Sequence, residues 1–219
     1  AVYTAIVLTS MAVGQYLLGL AETNPLYPFI LVSLLVGCAI VPVSLTRSLA
    51  PVPVPATRFS FSKLYRRSHT AFAGGLGSGV ITGSFWALGA IYVLAQTNDP
   101  SFVPAFIAAN IIGGALAQYP IGMASDRIDR RFVLSALCAA SGLAAFGLLY
   151  AETQQELLLG AFAFGAAANS LYAISLAKAA DNSKRDEFVT LGSSVLLLCA
   201  LGSAGGSLVI GWAMRLMGN

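Results

Sequence analysis

The sequence predicts an all-α protein, a polytopic bundle of transmembrane helices with seven spans. Hydrophobic residues make up 57% of the 219 residues, only 10% are charged, and the mean hydropathy is +0.79. A typical soluble domain is about 25% charged, so this chain lacks the polar surface that would cover a core in water. Its apolar residues also fall in runs of about 20, the length of helix that crosses a membrane.

Seven segments have this length and composition. They are residues 2–20, 27–46, 70–96, 101–123, 132–151, 156–180 and 187–216. The connections after the first, third and fifth segments read "AETNP", "QTNDP" and "AETQQE" and contain no Lys or Arg. The other three connections, 47–69, 124–131 and 181–186, are basic, and with Lys178 they hold eleven of the twelve Lys and Arg residues. By the positive-inside rule these basic loops are cytoplasmic.

The longest connection is "RSLAPVPVPATRFSFSKLYRRSH", residues 47–69. Its alternating prolines, Pro51, Pro53 and Pro55, favour an extended and semi-rigid spacer. The following "FSFSKLYRR" is either part of a plain linker or a short amphipathic element on the anionic inner leaflet. The single histidine, His69, is interpreted as a solvated residue at the membrane boundary.

Nothing in the chain predicts catalysis, a metal site or a cofactor. No His, Asp or Glu lies deep in a span, so hydrolytic chemistry would have no base. Cys38, Cys138 and Cys199 lie inside apolar runs without metal-ligand spacing and are interpreted as small buried hydrophobes. The net charge of +3 is small and does not predict a nucleic-acid partner.

A dense charge cluster separates the fourth and fifth spans, in "AQYPIGMASDRIDRRFVL". The pattern comprises Gly122, Asp126, Arg127, Arg130 and Arg131. We expect Gly122 to end the fourth helix and to let another helix pack closely there. A carboxylate one turn later can face the positive N-terminal end of a neighbouring helix, with arginines around it. We expect such a cluster to act as a conformational gate.

This cluster resembles the loop signature of the major facilitator superfamily of secondary transporters, G-x-x-x-D-[RK]-x-G-[RK]-[RK]. Asp129 stands where the signature has its second glycine. The stretches "GQYLLGLAE", "GAAANSLYAISLAKAADN" and "LGSAGGSLVIGWAM" extend the resemblance to the bacterial YcaD-type branch across nearly the whole chain. The resemblance implies a multi-pass protein of the bacterial inner membrane that moves a solute by alternating access.

The superfamily has twelve helices in two six-helix halves joined by a long cytoplasmic loop. The resemblance therefore implies that residues 1–46 form the last two helices of the N-terminal bundle, 47–69 the linker between bundles, and 70–219 five helices of the C-terminal bundle. The seven spans would be helices five to eleven. In this superfamily the carboxylate of the loop faces the fifth helix of the opposite half, so the resemblance implies that Asp126 contacts the first span near residues 1–4. The expected partners are membrane lipid, the remaining helices of the same polypeptide and a small solute.

Two other functions fit a seven-span chain. One is a membrane receptor or photoprotein, although a retinal pigment needs a Lys in its last helix and 187–216 has none. The other is a membrane scaffold that does not transport.

Depth and helical spacing predict the solute-binding surface. Polar and aromatic residues near the midplane of the third, fourth and sixth spans are the candidates: Ser78, Thr82, Trp86, Asn110, Asn169 and Tyr172. Polar amides at this depth are costly towards lipid and face the bundle interior. No fixed charge accompanies them, so we expect a neutral or amphiphilic solute. Hydrogen bonding between helices, without solute contact, is the alternative.

Overall fold

The computed structural model describes residues 2–17, 26–45, 59–181 and 187–216. Within these stretches the chain forms eight α-helices and no strands. The helices are α1 Val2–Leu17, α2 Tyr27–Leu45, α3 Phe61–Arg67, α4 His69–Thr97, α5 Val103–Arg127, α6 Arg130–Leu148, α7 Gln154–Asp181 and α8 Phe188–Leu216. The predicted all-α membrane bundle is confirmed. The proline-rich spacer 51–55 and the basic connection 182–186 lie outside the described residues.

Five helices are long and apolar enough to cross a membrane, namely α4 to α8. A 3₁₀ turn, Pro100–Phe102, extends α5 at its start. Helix α1 has 16 residues, and the apolar stretch of α2 ends at Pro42 inside that helix. The seven-span count therefore stays a prediction at α1 and α2.

Polar residues in the connections begin and end the spanning helices. The Ser68 hydroxyl accepts a hydrogen bond from Ala71 N at the start of α4, and Asn98 ends that helix with a left-handed φ of 52°. Asp129 caps α6. Before α7, Thr153 and Glu156 form a reciprocal capping box, since each side chain accepts from backbone N–H groups of this turn.

Two close helix pairs form the centre of the bundle, α4 with α8 and α5 with α7. A Cβ at Gly79 would overlap the backbone carbonyl of Cys199, and one at Gly165 would overlap that of Asn110. The glycines thus bring the paired backbones into direct contact, as small residues do in membrane helix packing. Helix α7 also packs on α4, α6 and α8, while α1 packs on α5. Most described side chains of α2 are exposed.

The described parts of the basic connections, residues 59–68 and 124–131, lie with the end of α7 and the start of α8 at one end of this bundle, which we call the basic end. Helix α3 lies there, with Leu64 fully buried against Leu191 and Val195 of α8. Lys63 and Arg67 pair with Glu187, at 2.9 Å and 3.4 Å. The sequence left this part of the connection open between a plain linker and an amphipathic element, and the structure forms a short helix whose apolar residue Leu64 faces the bundle.

The predicted role of Gly122 is wrong in one respect. This residue does not end its helix, because α5 continues to Arg127. No described atom lies within 4 Å of a Cβ built at Gly122, so no close helix contact in the described residues requires a glycine there.

Candidate functional site

Arg130 links the ends of three helices at the basic end. From the first residue of α6, its guanidinium contacts Asp126 of α5 at 3.1 Å and Asp181 of α7 at 3.4 Å. The Arg130 side chain is only 18% exposed, whereas both carboxylates are more open to water. A single cation, Arg130, therefore connects α5, α6 and α7 at the basic end.

A second ion pair lies beside the first. Lys178 of α7 contacts Asp129 at 3.5 Å, and the same Asp129 oxygen accepts a hydrogen bond from Arg131 N at 3.0 Å. That backbone hydrogen bond, aided by the charge of Lys178, lowers the pKa of Asp129 below its usual value. Asp129 has φ of −56°, which needs no glycine. The residue that departs from the family signature thus caps α6 and pairs with α7.

The structure brings together only part of the predicted gate. Asp126 and Arg130 interact, whereas the Arg127 and Arg131 side chains are exposed. The expected contact of Asp126 with residues 1–4 involves side chains outside the described ones. Sequence reasoning missed Asp181 and Lys178, although two charged residues at the end of an apolar run were a usable signal.

Two of the six predicted solute-binding residues meet between α5 and α7. The Asn169 amide nitrogen donates to the backbone oxygen and to the side-chain oxygen of Asn110, both at 3.3 Å. Asn110 is 1% exposed, and its own amide nitrogen has no partner among the described residues. A Cβ at Gly114 would overlap the Asn169 side chain, so this glycine makes room for the pair.

The other four residues lie in different surroundings. The buried Ser78 hydroxyl donates to Gly75 O at 2.9 Å and contacts Cys199 Sγ at 3.7 Å, at the α4–α8 contact. Thr82 donates to Ser78 O at 2.7 Å. Trp86 is 42% exposed, and Tyr172 packs against the cluster around Leu191. The six residues therefore do not line one shared pocket in the described structure.

A cavity of about 420 Å³ opens between α4 and α6. Phe85 is one of its lining residues, and its ring stacks on Phe106 at 5.8 Å and on Phe164 at 5.3 Å between ring centroids. None of the six predicted residues is among those that line it. Sequence reasoning missed this cavity because its walls consist of ordinary apolar and small residues from five helices.

Comparison with known proteins shows similarity to transporters of one type. The chain is 25% identical to an "Uncharacterized MFS-type transporter YcaD" of Escherichia fergusonii over 205 residues, 93% of this chain and 53% of the relative. It is 27% identical to an uncharacterized MFS-type transporter of Yersinia pestis over 216 residues and 28% identical to one of Yersinia enterocolitica over 213 residues. Each of these two matches covers 94% of this chain and 54% of the relative.

The resemblance to YcaD-type MFS transporters is thereby confirmed. The chain spans about half the length of the curated relatives that it matches. No family model matches the chain, and no solved structure matches it. Together with the five long apolar helices, the relatives indicate a multi-pass membrane protein related to transporters.

Proposed function

We propose that this chain is part of a secondary transporter that moves a small solute across the bacterial inner membrane by alternating access. The relatives named as MFS-type transporters support the class of function. The arrangement that carries the mechanism is the pairing of Arg130 with Asp126 and Asp181, because it holds three helix ends together at one face of the bundle.

In this proposal residues 1–46 belong to the N-terminal bundle, residues 47–69 connect the bundles, and residues 70–219 belong to the C-terminal bundle. The basic end faces the cytoplasm, as the positive-inside rule predicts. Helix α1 packs on α5 in the described structure, which supports a contact between the two bundles at this place.

The charged cluster then acts as an inner gate. With the cluster intact, the ends of α5, α6 and α7 stay together and the basic end is closed. Opening moves α1 of the N-terminal bundle away from α5, so Asp126 loses its expected contact with the first span, while Arg130 keeps the ends of α5, α6 and α7 together as one body. Ion pairs that are partly open to water are worth only about 1 kcal/mol. A gate of this strength shifts the balance between the closed and open states without locking either one.

The Asn110–Asn169 pair is the part of the predicted solute surface that the structure supports best. The Asn110 amide nitrogen is buried without a described partner. Its N–H groups are therefore unused donors, and we propose that a solute accepts a hydrogen bond from them. Ser78, Thr82, Trp86 and Tyr172 remain proposed solute contacts, each in separate surroundings in the described structure. We propose a neutral or amphiphilic solute, no cofactor and no catalytic step.

Solute transport by the full-length protein tests the proposal. A thermal-shift screen of neutral and amphiphilic compounds identifies a binder, and uptake of that labelled compound into proteoliposomes is then measured. We expect saturable uptake that Arg130→Ala changes at least threefold, because the gate equilibrium shifts. Arg127→Ala is the matched control, since this neighbouring arginine is exposed, and it should leave uptake unchanged. Binding without any uptake would favour a scaffold or receptor and contradict transport.

A further inference from the structure

The side chain of Gln118 on α5 is buried, and its amide oxygen is unpaired. Gln118 is 6% exposed, and its Oε1 atom has no hydrogen-bond partner among the described residues. Another buried polar residue of the same helix, Ser125, instead donates to Gly122 O at 2.9 Å. An amide oxygen that leaves water without gaining a new donor destabilises the arrangement that buries it. The observed packing therefore leaves one polar group of α5 unsatisfied.

Helical geometry indicates which neighbours cover Gln118. Successive residues turn by about 100°, so Gln118 lies about 40° around the helix from Gly114, where an added Cβ would meet Asn169 of α7. It lies about 160° from Leu116 and about 140° from Met123, which are 64% and 40% exposed. The two helices that pack most extensively on α5 are α7 and α1. Gln118 is therefore covered from the sides of α7 and α1.

Gln118 lies midway between the polar pair and the charged cluster. Eight residues, or about 12 Å of helix, separate it from Asn110 in one direction and from Asp126 in the other. Asn110 pairs with Asn169, and Asp126 pairs with Arg130 at the basic end. In the proposed transport cycle, a solute that moves from the polar pair to the basic end passes this part of α5.

The proposed opening uncovers this residue on one side. Helix α1 belongs to the N-terminal bundle and α7 to the C-terminal bundle, so opening separates α1 from α5 and leaves α7 in place. Water then reaches the face of α5 that α1 covered, and the Gln118 oxygen gains a donor. The closed state keeps the same oxygen unpaired, which destabilises that state relative to the open one.

From this placement we infer that Gln118 lines the inner half of the solute path and that its amide favours the open state. The inference rests on the proposed alternating access, because it needs a state in which α1 and α5 separate. Gln118 then opposes the charged cluster, which favours the closed state. Polar groups at two depths of α5 together set the balance between the two states.

Thiol labelling tests whether water reaches Gln118. The full-length protein without its native cysteines carries Gln118→Cys in nanodiscs, and a charged methanethiosulfonate reagent is added. We expect labelling that becomes at least about threefold faster with Asp126→Asn, which weakens the gate. Leu116→Cys is the matched control about 3 Å away along the helix. It should stay unlabelled, because it lies on the opposite face of α5, which opening does not uncover. No labelling of Gln118→Cys in either background, or equal labelling of the two positions, would overturn the inference.

A distance measurement tests the preference for the open state. Spin labels at the exposed residues Leu45 and Ile128 report the separation of α2 from the α5–α6 turn at the basic end. Gln118→Leu removes the unpaired oxygen, so the ratio of the longer to the shorter distance population should fall about fivefold. An unchanged or higher ratio would contradict the inference.

Ser170→Ala is the control for this measurement. The Ser170 hydroxyl is also buried without a described partner. It lies on α7 between Ala167 and Ile174, which pack in one cluster with Leu134 of α6. Both helices belong to one bundle, so Ser170→Ala should leave the ratio unchanged, and a fall equal to that of Gln118→Leu would overturn the inference.

The two measurements separate this inference from the proposed function. Two distance populations with an unlabelled Gln118→Cys would contradict the role of Gln118 alone. A single population that is identical in every variant would overturn alternating access and this inference with it.

Discussion

At the scale of single residues, some buried polar side chains in this bundle form hydrogen bonds to specific partners, and others have no hydrogen-bond partner among the described residues. Asn169 donates to two oxygens of Asn110, whereas the buried Ser170 hydroxyl has no partner among the described residues. Adjacent residues of α7 thus offer a direct comparison. One makes a hydrogen bond between helices, and the other is a polar group that makes none.

Asn169→Ala should lower the free energy of unfolding by about 1 kcal/mol, because it removes the donor to Asn110. In a double-mutant cycle with Asn110→Ala, the coupling should be about 0.6 kcal/mol, typical of hydrogen bonds between membrane helices. Ser170→Ala is the control and should be neutral or stabilising. Unfolding in mild detergent is measured for the wild type and all four variants. An equal loss in Ser170→Ala and Asn169→Ala would contradict the specific bond.

The polar pair also shows what could be predicted at this scale. Depth and spacing along the sequence placed Asn110 and Asn169 in one plane, and the structure joins them. The same reasoning could not place Trp86, which is partly exposed, because periodicity within one helix does not say which neighbour covers each face. The Arg130–Asp181 contact was missed for a related reason. It depends on which helix ends meet in space.

At the scale of helices, glycine faces determine which backbones touch. Gly77 and Gly79 lie two residues apart on α4. Of these two glycines, Gly79 lies against α8 and Gly77 does not. Apolar runs were enough to predict α4 to α8, and polar residues between them marked most of their ends. The pairing of α4 with α8 was not predictable, because small residues occur on several faces and only the packed bundle selects one.

Gly79→Ala should lower the free energy of unfolding by about 1–3 kcal/mol, as overpacking does in tight cores. The added methyl would meet the backbone carbonyl of Cys199, which cannot move without shifting α8. Gly77→Ala has no described atom within 4 Å of its new Cβ. This control should be neutral or stabilised by up to about 1 kcal/mol, since Ala favours helix over Gly. Thermal unfolding compares the two, and similar losses in both would show that the glycine contact is not what packs α4 on α8.

At the scale of the whole molecule, the proposed alternating access requires two bundles that move against each other. The described charged cluster ties together α5, α6 and α7. In the proposed arrangement α1 and α2 belong to the first bundle, and α1 packs on α5. If α5 moves with the gate, the distance between α2 and the α5–α6 turn must take two values at the basic end.

Spin labels at Leu45 and Ile128 measure that distance directly. Both side chains are exposed, one at the end of α2 and one directly after α5. Cys38, Cys138, Cys199 and every cysteine outside this chain are first replaced by Ala in the full-length protein, so that labels attach only at Leu45→Cys and Ile128→Cys.

Pulsed electron–electron double resonance on the spin-labelled protein in nanodiscs then gives the distribution of distances between the two labels. We predict two populations, with the longer one enriched in Arg130→Ala and unchanged in Arg127→Ala. A single population that is identical in all three proteins would contradict alternating access gated by this cluster.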